Sequence, residues 1–469
     1  VPFPLAIGVL AYVPGMMTPT REMCMLRRMT HKLHLVGWTA ALLLIGGVAR
    51  WPAEAAVTTL YVDGDNPSCS NSGSGTATQP YCTIGAGVSH AVAGHTVQVA
   101  AGSYAEMVTM PRSGTSTQPI TVTAAPGATV TLSGGVNGFK VSSKAYIVIS
   151  GFTVTGTSGP SFNLGASNHL TIQNDTASNA GQPVSGATAR GIYLSGVTDS
   201  VISGNTVHNV TDSGIYVNGT SGNITVSGNT TYLNARGYER AAAGIDVRGP
   251  SVSVIGNVSH DNEDSGIQFY TGASSVLAAD NVTYNNGDHG IDDLNVAGGT
   301  IVGNTVYHNC TTGINVEGTS GNYVIKNNIA VDNAVYPAYN GISCKRRAGN
   351  IGVWDSAPST TMADRNIVYL TKSGVIYAWG TTFSSLTAMR AASGQEGQGL
   401  QVDPGFAAPA SWDLTLLAGS PAIDSADSGV AGSQSVDASG AARVDDPATP
   451  NSGVGPRSYD DRGAQEYQP

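Results

Sequence analysis

The chain has 469 residues, 60 of them glycine, with 12% charged and 41% hydrophobic side chains. Average proteins carry about 7% glycine and about 25% charge, so a coiled coil or helical bundle, a disordered chain and, lacking any Gly-X-Y period, collagen are excluded. A net charge of −10 also excludes a generic nucleic-acid binder, and an acidic chain meets an acidic polymer only through a basic patch or a bridging cation.

Residues 1–28 read as an upstream extension of the reading frame, and residues 29–55 as a secretory signal. Lys32 supplies the positive start, residues 35–48 the apolar stretch and Ala53-Glu54-Ala55 the small-x-small cleavage site. Residues 1–55 carry five basic and two acidic side chains, so their removal takes the charge from −10 to −13. The expected product is a secreted monomer with no membrane attachment. It keeps Cys69, Cys82, Cys310 and Cys344, and export favours disulfides. Cys69 and Cys82, thirteen apart in a polar loop, are expected to pair; parity alone does not decide Cys310 with Cys344.

Residues 83–93 read as a short helix capping the stack of strands downstream. A Gly-Ile pair then recurs at Gly191, Gly214, Gly244, Gly266, Gly290, Gly313 and Gly341, and an asparagine keeps step with it at Asn205, Asn229, Asn257, Asn281, Asn304 and Asn328. Between these marks lie short alternating runs separated by Gly, Asn, Asp and Ser, which are strands and turns. A period of 20–50 residues denotes a solenoid, and strand-turn-strand units denote a parallel β-helix whose coils stack at about 4.8 Å. The isoleucines point inward, and the asparagines bond along the stack. The solenoid is expected over residues 56–400, with residues 401–469 as a C-terminal capping tail.

Two features place this β-helix among known proteins. The opening, with Tyr61-Val-Asp and the run Gly94-His-Thr-Val-Gln-Val, and the tail, with Gly419-Ser-Pro-Ala-Ile-Asp and Gly463-Ala-Gln-Glu-Tyr, resemble secreted β-helix proteins of the pectate-lyase-like superfamily. That resemblance implies a right-handed parallel β-helix.

Aligning the coils on Gly-Ile makes the residue after Ile an outward row: Tyr193, Tyr216, Asp246, Gln268, Asp292, Asn315 and Ser343. Two residues further lie Arg248, Tyr270, Leu294 and Lys345, and two before the glycine lie Asp264 and Asp288. The middle coils thus bring several aspartates onto one surface, where stacked like charges repel unless a counterion intervenes. Calcium, a hard cation with oxygen ligands, suits them. Asp293 has inward parity, and a one-residue bulge would turn it outward and return Leu294 to the core.

At these residues the chain resembles the family 9 polysaccharide lyases, calcium-dependent β-helices whose metal motif is Asp-Asp-Gly-Phe/Ile-Asp plus an aspartate from the preceding coil. The resemblance implies Asp264, Asp288 and Asp292 in the Ca2+ site, with His289 replacing one aspartate, and the bulge would add Asp293 to them. The family's catalytic lysine has no counterpart at Gly313-Ile314-Asn315. Arg248, Lys345 and His289 are therefore the candidates to remove the C5 proton of a uronate, while Tyr216, Tyr270 and Arg346 are candidates to bind an acidic polysaccharide. The run Tyr284-Asn-Asn-Gly-Asp-His-Gly-Ile also resembles mannuronan C5-epimerases, which share the proton abstraction. A glycoside hydrolase and a non-catalytic carbohydrate-binding solenoid remain as alternatives.

Overall fold

The computed structural model describes residues 58–181, 188–235 and 242–469; the upstream extension and signal segment lie outside them. Among the described residues no helix is long and apolar enough to cross a membrane.

Three sheets run the length of the solenoid, two of twelve strands and one of eleven, parallel throughout except where Thr381–Phe383 folds back antiparallel on Tyr377–Trp379 at the end of the second. The first begins at Thr59–Val62, the second at Val108–Thr109 and the third at Gly102–Tyr104. Each coil visits them in the order first, third, second. The expected isoleucine column is present in the second sheet: Ile192, Ile215, Ile245, Ile267, Ile291 and Ile314 are in register and fully buried. Its seventh member differs. Ile314 pairs with Ile351, not Ile342, because the Gly341-Ile342 pair lies on a small antiparallel hairpin, Ala338–Tyr339 with Ile342–Ser343. Gly352 therefore takes the outward position expected for Ser343. A chance Gly-Ile on an excursion mimics the repeat mark.

The asparagine row bonds as expected. From Asn205 to Asn366 each side-chain amide donates to the carboxamide oxygen one coil on, at 2.9–3.0 Å. Each also donates to a backbone carbonyl. The row terminates on Glu396, which accepts from Asn366 Nδ2 at 2.6 Å; burial raises this carboxyl to about 7. A second ladder joins Asn234, Asn262, Asn286, Asn309, Asn333 and Asn350 at 2.9–3.1 Å. Buried amides paired this way leave few donors orphaned, which a dry interior requires.

A helix, α1 (Ile84–His90), stands at the N-terminal end, with Ile84 and Val88 buried. Thr83 caps it by accepting from Ala86 N, and Glu106 accepts from the Ile84 and Gly85 amides, a stabilising use of acid at a helix start. At the other end the second helix, α2 (Leu386–Ser393), buries Leu386 and Met389. The segment after it lies against the third sheet's outer face, where Phe406, Leu414, Leu416 and Ile423 pack on Val282, Ile329 and Ile367. Arg443 anchors that segment through Asp280 at 3.0 Å and Glu466 at 2.9 Å.

Candidate active site

The outward row of the second sheet runs Tyr193, Tyr216, Asp246, Gln268, Asp292, Asn315 in unbroken register. Beside its C-terminal half is an open depression of about 370 Å³, lined by Asp264, Gln268, Tyr270, Asp288, Asp292, Leu294, Glu317, Arg346 and Arg347. Alternation puts Asp292 on this face, and the turns before Gly266 and Gly290 supply Asp264 and Asp288.

The three aspartates are nearly buried. Burial, followed by the charges of Asp288 and Asp292, lifts Asp264 to about 7. Burial lifts Asp292 to about 6, opposed by His289 and by the bond from Asn315 Nδ2 at 2.7 Å. His289 is wholly buried beneath them, its Nε2 at 3.7 Å from Asp288 Oδ1 and 3.9 Å from Asp292 Oδ1. Its Nδ1 faces the Thr312 carbonyl at 3.1 Å and the Thr311 hydroxyl at 2.9 Å. That hydroxyl itself donates to Asp288 Oδ1. Nδ1 therefore carries a hydrogen toward the Thr312 carbonyl, and Nε2, which has no hydrogen-bond partner, faces the two carboxyl groups.

Asp293 stands apart. The strand Ile291–Leu294 keeps regular register with both neighbours, so the expected bulge is absent. Asp293 points inward between Phe269 and Val316, and Leu294 points to the depression. Burial raises the Asp293 carboxyl well above its usual range, and Tyr323 Oη donates to it at 2.5 Å. It is an interior acid away from the depression's lining.

The cationic candidates separate too. Lys345 is exposed on the excursion and does not line the depression. Arg248 forms a bidentate pair with buried Asp246, at 3.2 and 3.0 Å, and lies over the rings of Tyr216 and Tyr270. Burial works against its charge, but the bonds and charge of Asp246 outweigh that and raise its already high proton affinity, so it is a fixed positive charge and a poor proton acceptor. Tyr216 is covered by Arg190, 4.2 Å from its ring centre, as well as by Arg248. With 7% exposure it has no free face for a sugar; Tyr270, in the depression wall, does not share the Arg190 cover.

Two contacts escape sequence reasoning. Arg346 Nη2 lies 2.8 Å from Asp288 Oδ2. Arg347 bonds Glu317 at 2.7 Å and Asp355 at 3.0 Å while lying over Trp354. Both come from the excursion, which a disulfide between Cys310 and Cys344 ties to the coil beside the depression; Cys69 and Cys82 pair as expected.

Among the described residues no three acidic, histidine or cysteine side chains are gathered closely enough to enclose an ion as they stand. The donor chemistry nevertheless fits a hard cation: three buried carboxylates, and an Asn315 carboxamide oxygen that is buried without a partner.

The structure resembles that of XylC in complex with xylose, with a TM-score of 0.51 and 13% identity over 75% of this chain and 87% of that one. It also resembles the pectate lyase Pel9A, with a TM-score of 0.50 and 16% identity over 88% of this chain and 98% of that one. These likenesses at low identity concern the fold. Among curated protein sequences there is no match. The family model described as the Pel9A-like, right-handed β-helix region matches residues 61–357. The solenoid, its isoleucine column and the depression on its second sheet are thus those of a member of the Pel9A-like β-helix family, to which this chain belongs.

Proposed function

We propose that the chain is an extracellular polysaccharide lyase that cleaves a uronate polymer by calcium-assisted β-elimination. The observation that carries this reading is the convergence of Asp264, Asp288 and Asp292, all nearly buried, on one open depression that also presents two arginines. Asp264, Asp288 and Asp292, with Asn315 Oδ1, would hold the ion. Calcium, when bound, supplies the positive charge that neutralises a C6 carboxylate and acidifies the C5 proton. Arg346 and Arg347 offer planar forks to substrate carboxylates, and Tyr270 offers a ring face to a sugar. Arg248 adds fixed charge at the N-terminal side. His289 Nε2 faces Asp288 and Asp292 from beneath, at 3.7 and 3.9 Å. The two disulfides fit an oxidising, extracellular setting.

Epimerisation at C5 is the second reading, and one observation favours it. The described residues lining the depression include no lysine, whereas carboxyls tuned to about 7 and about 6 can both accept and return a proton near neutrality.

Incubation with pectate, alginate and related polyuronates, with calcium or with chelator, separates the readings. Calcium-dependent ultraviolet absorbance marks an unsaturated lyase product. Changed uronate stereochemistry without cleavage marks epimerisation, and new reducing ends without absorbance mark hydrolysis. If no polyuronate is altered, the enzyme reading fails.

A further inference from the structure

Asp288 is held by a cation that the chain itself provides. The Arg346 guanidinium lies 2.8 Å from Asp288 Oδ2, yet its side chain is 50% exposed while that of Asp288 is 3% exposed. One end of the pair is fixed in the coil; the other hangs from an excursion at the rim. Cys344, two residues before Arg346, is tied to Cys310. The hairpin also sits directly on the residue preceding Asp288, since a Cβ at Gly287 would come within 2.9 Å of Tyr339 Cδ1. The guanidinium is thus delivered to the depression at high effective concentration. Around it, the carboxyl groups of Asp264 and Asp292 line the same depression, so it holds more oxygen donors than Arg346 satisfies.

We infer that Arg346 competes with a divalent cation for Asp288, and that the disulfide-tethered hairpin carrying it is a built-in gate on the cation site. Entry of the cation displaces the guanidinium, which is then free to meet a substrate carboxylate at the same rim. This orders binding: cation first, acidic polymer second. The inference rests on the calcium reading above, but it concerns affinity rather than turnover.

Calcium titration of chelator-stripped protein by calorimetry tests it without substrate, comparing the wild type with Arg346→Gln and with the double variant Cys310→Ser/Cys344→Ser. A site closed about nine-tenths of the time binds about tenfold more weakly than an open one. Arg346→Gln should therefore bind calcium about tenfold more tightly, and the untethered double variant should shift the same way by a smaller factor. If wild type and Arg346→Gln, both with an unchanged β-sheet circular dichroism spectrum, bind calcium equally, or the variant binds it less tightly, the gate is overturned and the calcium reading stands. If neither takes up calcium, both fall together.

Discussion

Tyr323 donates a hydrogen bond of 2.5 Å to Asp293 in the interior of the solenoid, on the opposite face of the strand from its neighbour Asp292. An inward aspartate survives there because burial raises its carboxyl well above the usual range, disfavouring charge, and the phenol occupies one of its oxygens. Tyr323→Phe should cost about 1–3 kcal/mol in unfolding free energy, the usual consequence of stranding a buried polar group. Asp293→Asn should leave calcium affinity as it is in the wild type. Denaturant unfolding and calcium calorimetry check the two parts, and a loss of calcium binding in Asp293→Asn would return this residue to the metal site.

The buried carboxyls set the direction of the pH dependence. Asp264, Asp280 and Glu396 are raised to about 7 and Asp292 to about 6, against about 3.9–4.3 in an unfolded chain. Between those limits the folded state holds more protons than the unfolded one, so stability declines as pH rises. Their contribution is complete below about pH 4 and gone once the pH has passed about 7. In chelator, the melting temperature should fall steadily from pH 5 to pH 8, and Asp264→Asn should flatten that fall. A melting temperature that climbs across this range would contradict the assignment.

Asp264→Asn and Asp292→Asn each remove a negative charge from the depression. Each should reduce calcium-dependent elimination by roughly 10²–10³-fold, the scale of losing one preorganised electrostatic contact. The same variants should melt no lower than the wild type at pH 7 in chelator, because like-charge repulsion is relieved. Kinetics paired with thermal melts distinguish this from unfolding.

Arg248 is expected to act on binding. Arg248→Ala should raise KM more than it lowers kcat on a polyuronate, since the guanidinium is a fixed charge and not a proton acceptor. A fall in kcat with KM unchanged would place it in the chemistry instead.

The first amide ladder is expected to carry stability in its middle. Asn281→Ala removes the acceptor for Asn257 N and Nδ2 and the donor to Val254 O and Asn304 Oδ1. The cost should be about 2–4 kcal/mol, measured by unfolding, whereas an exposed asparagine of the same coil would cost far less.

Legibility in the sequence depends on which features repeat. The isoleucine column and the first ladder show because each member recurs once per coil. The second ladder recurs as well, with spacings of 28, 24, 23, 24 and 17 residues from Asn234 to Asn350, so its signal lies in the sequence beside the first, unmarked by a preceding glycine except at Asn350. The gathering of Asp264, Asp288 and Asp292 on one face is readable for the same periodic reason. Arg346 on Asp288 is not, because its position depends on the path of an excursion fixed by the Cys310–Cys344 bond and not by the repeat. Lys345, its neighbour, is misplaced by the repeat for that reason. The bulge expected at Asp293 comes from assigning Leu294 to the core; local parity is right, and Tyr323, thirty residues away, makes the buried acid tolerable.

The corners of the solenoid differ in what they permit. From Asn168–Gln173 onward, two residues join each first-sheet strand to the next third-sheet strand, at the corner occupied by the first ladder. The links from the third sheet to the second vary widely, from three residues between Gly102–Tyr104 and Val108–Thr109 to nineteen between Ile329–Val331 and Ile351–Val353. Arg346 and the hairpin beneath it belong to this permissive corner. Insertions at that corner can lengthen, shorten or recharge the rim of the depression without disturbing the stacking of the coils.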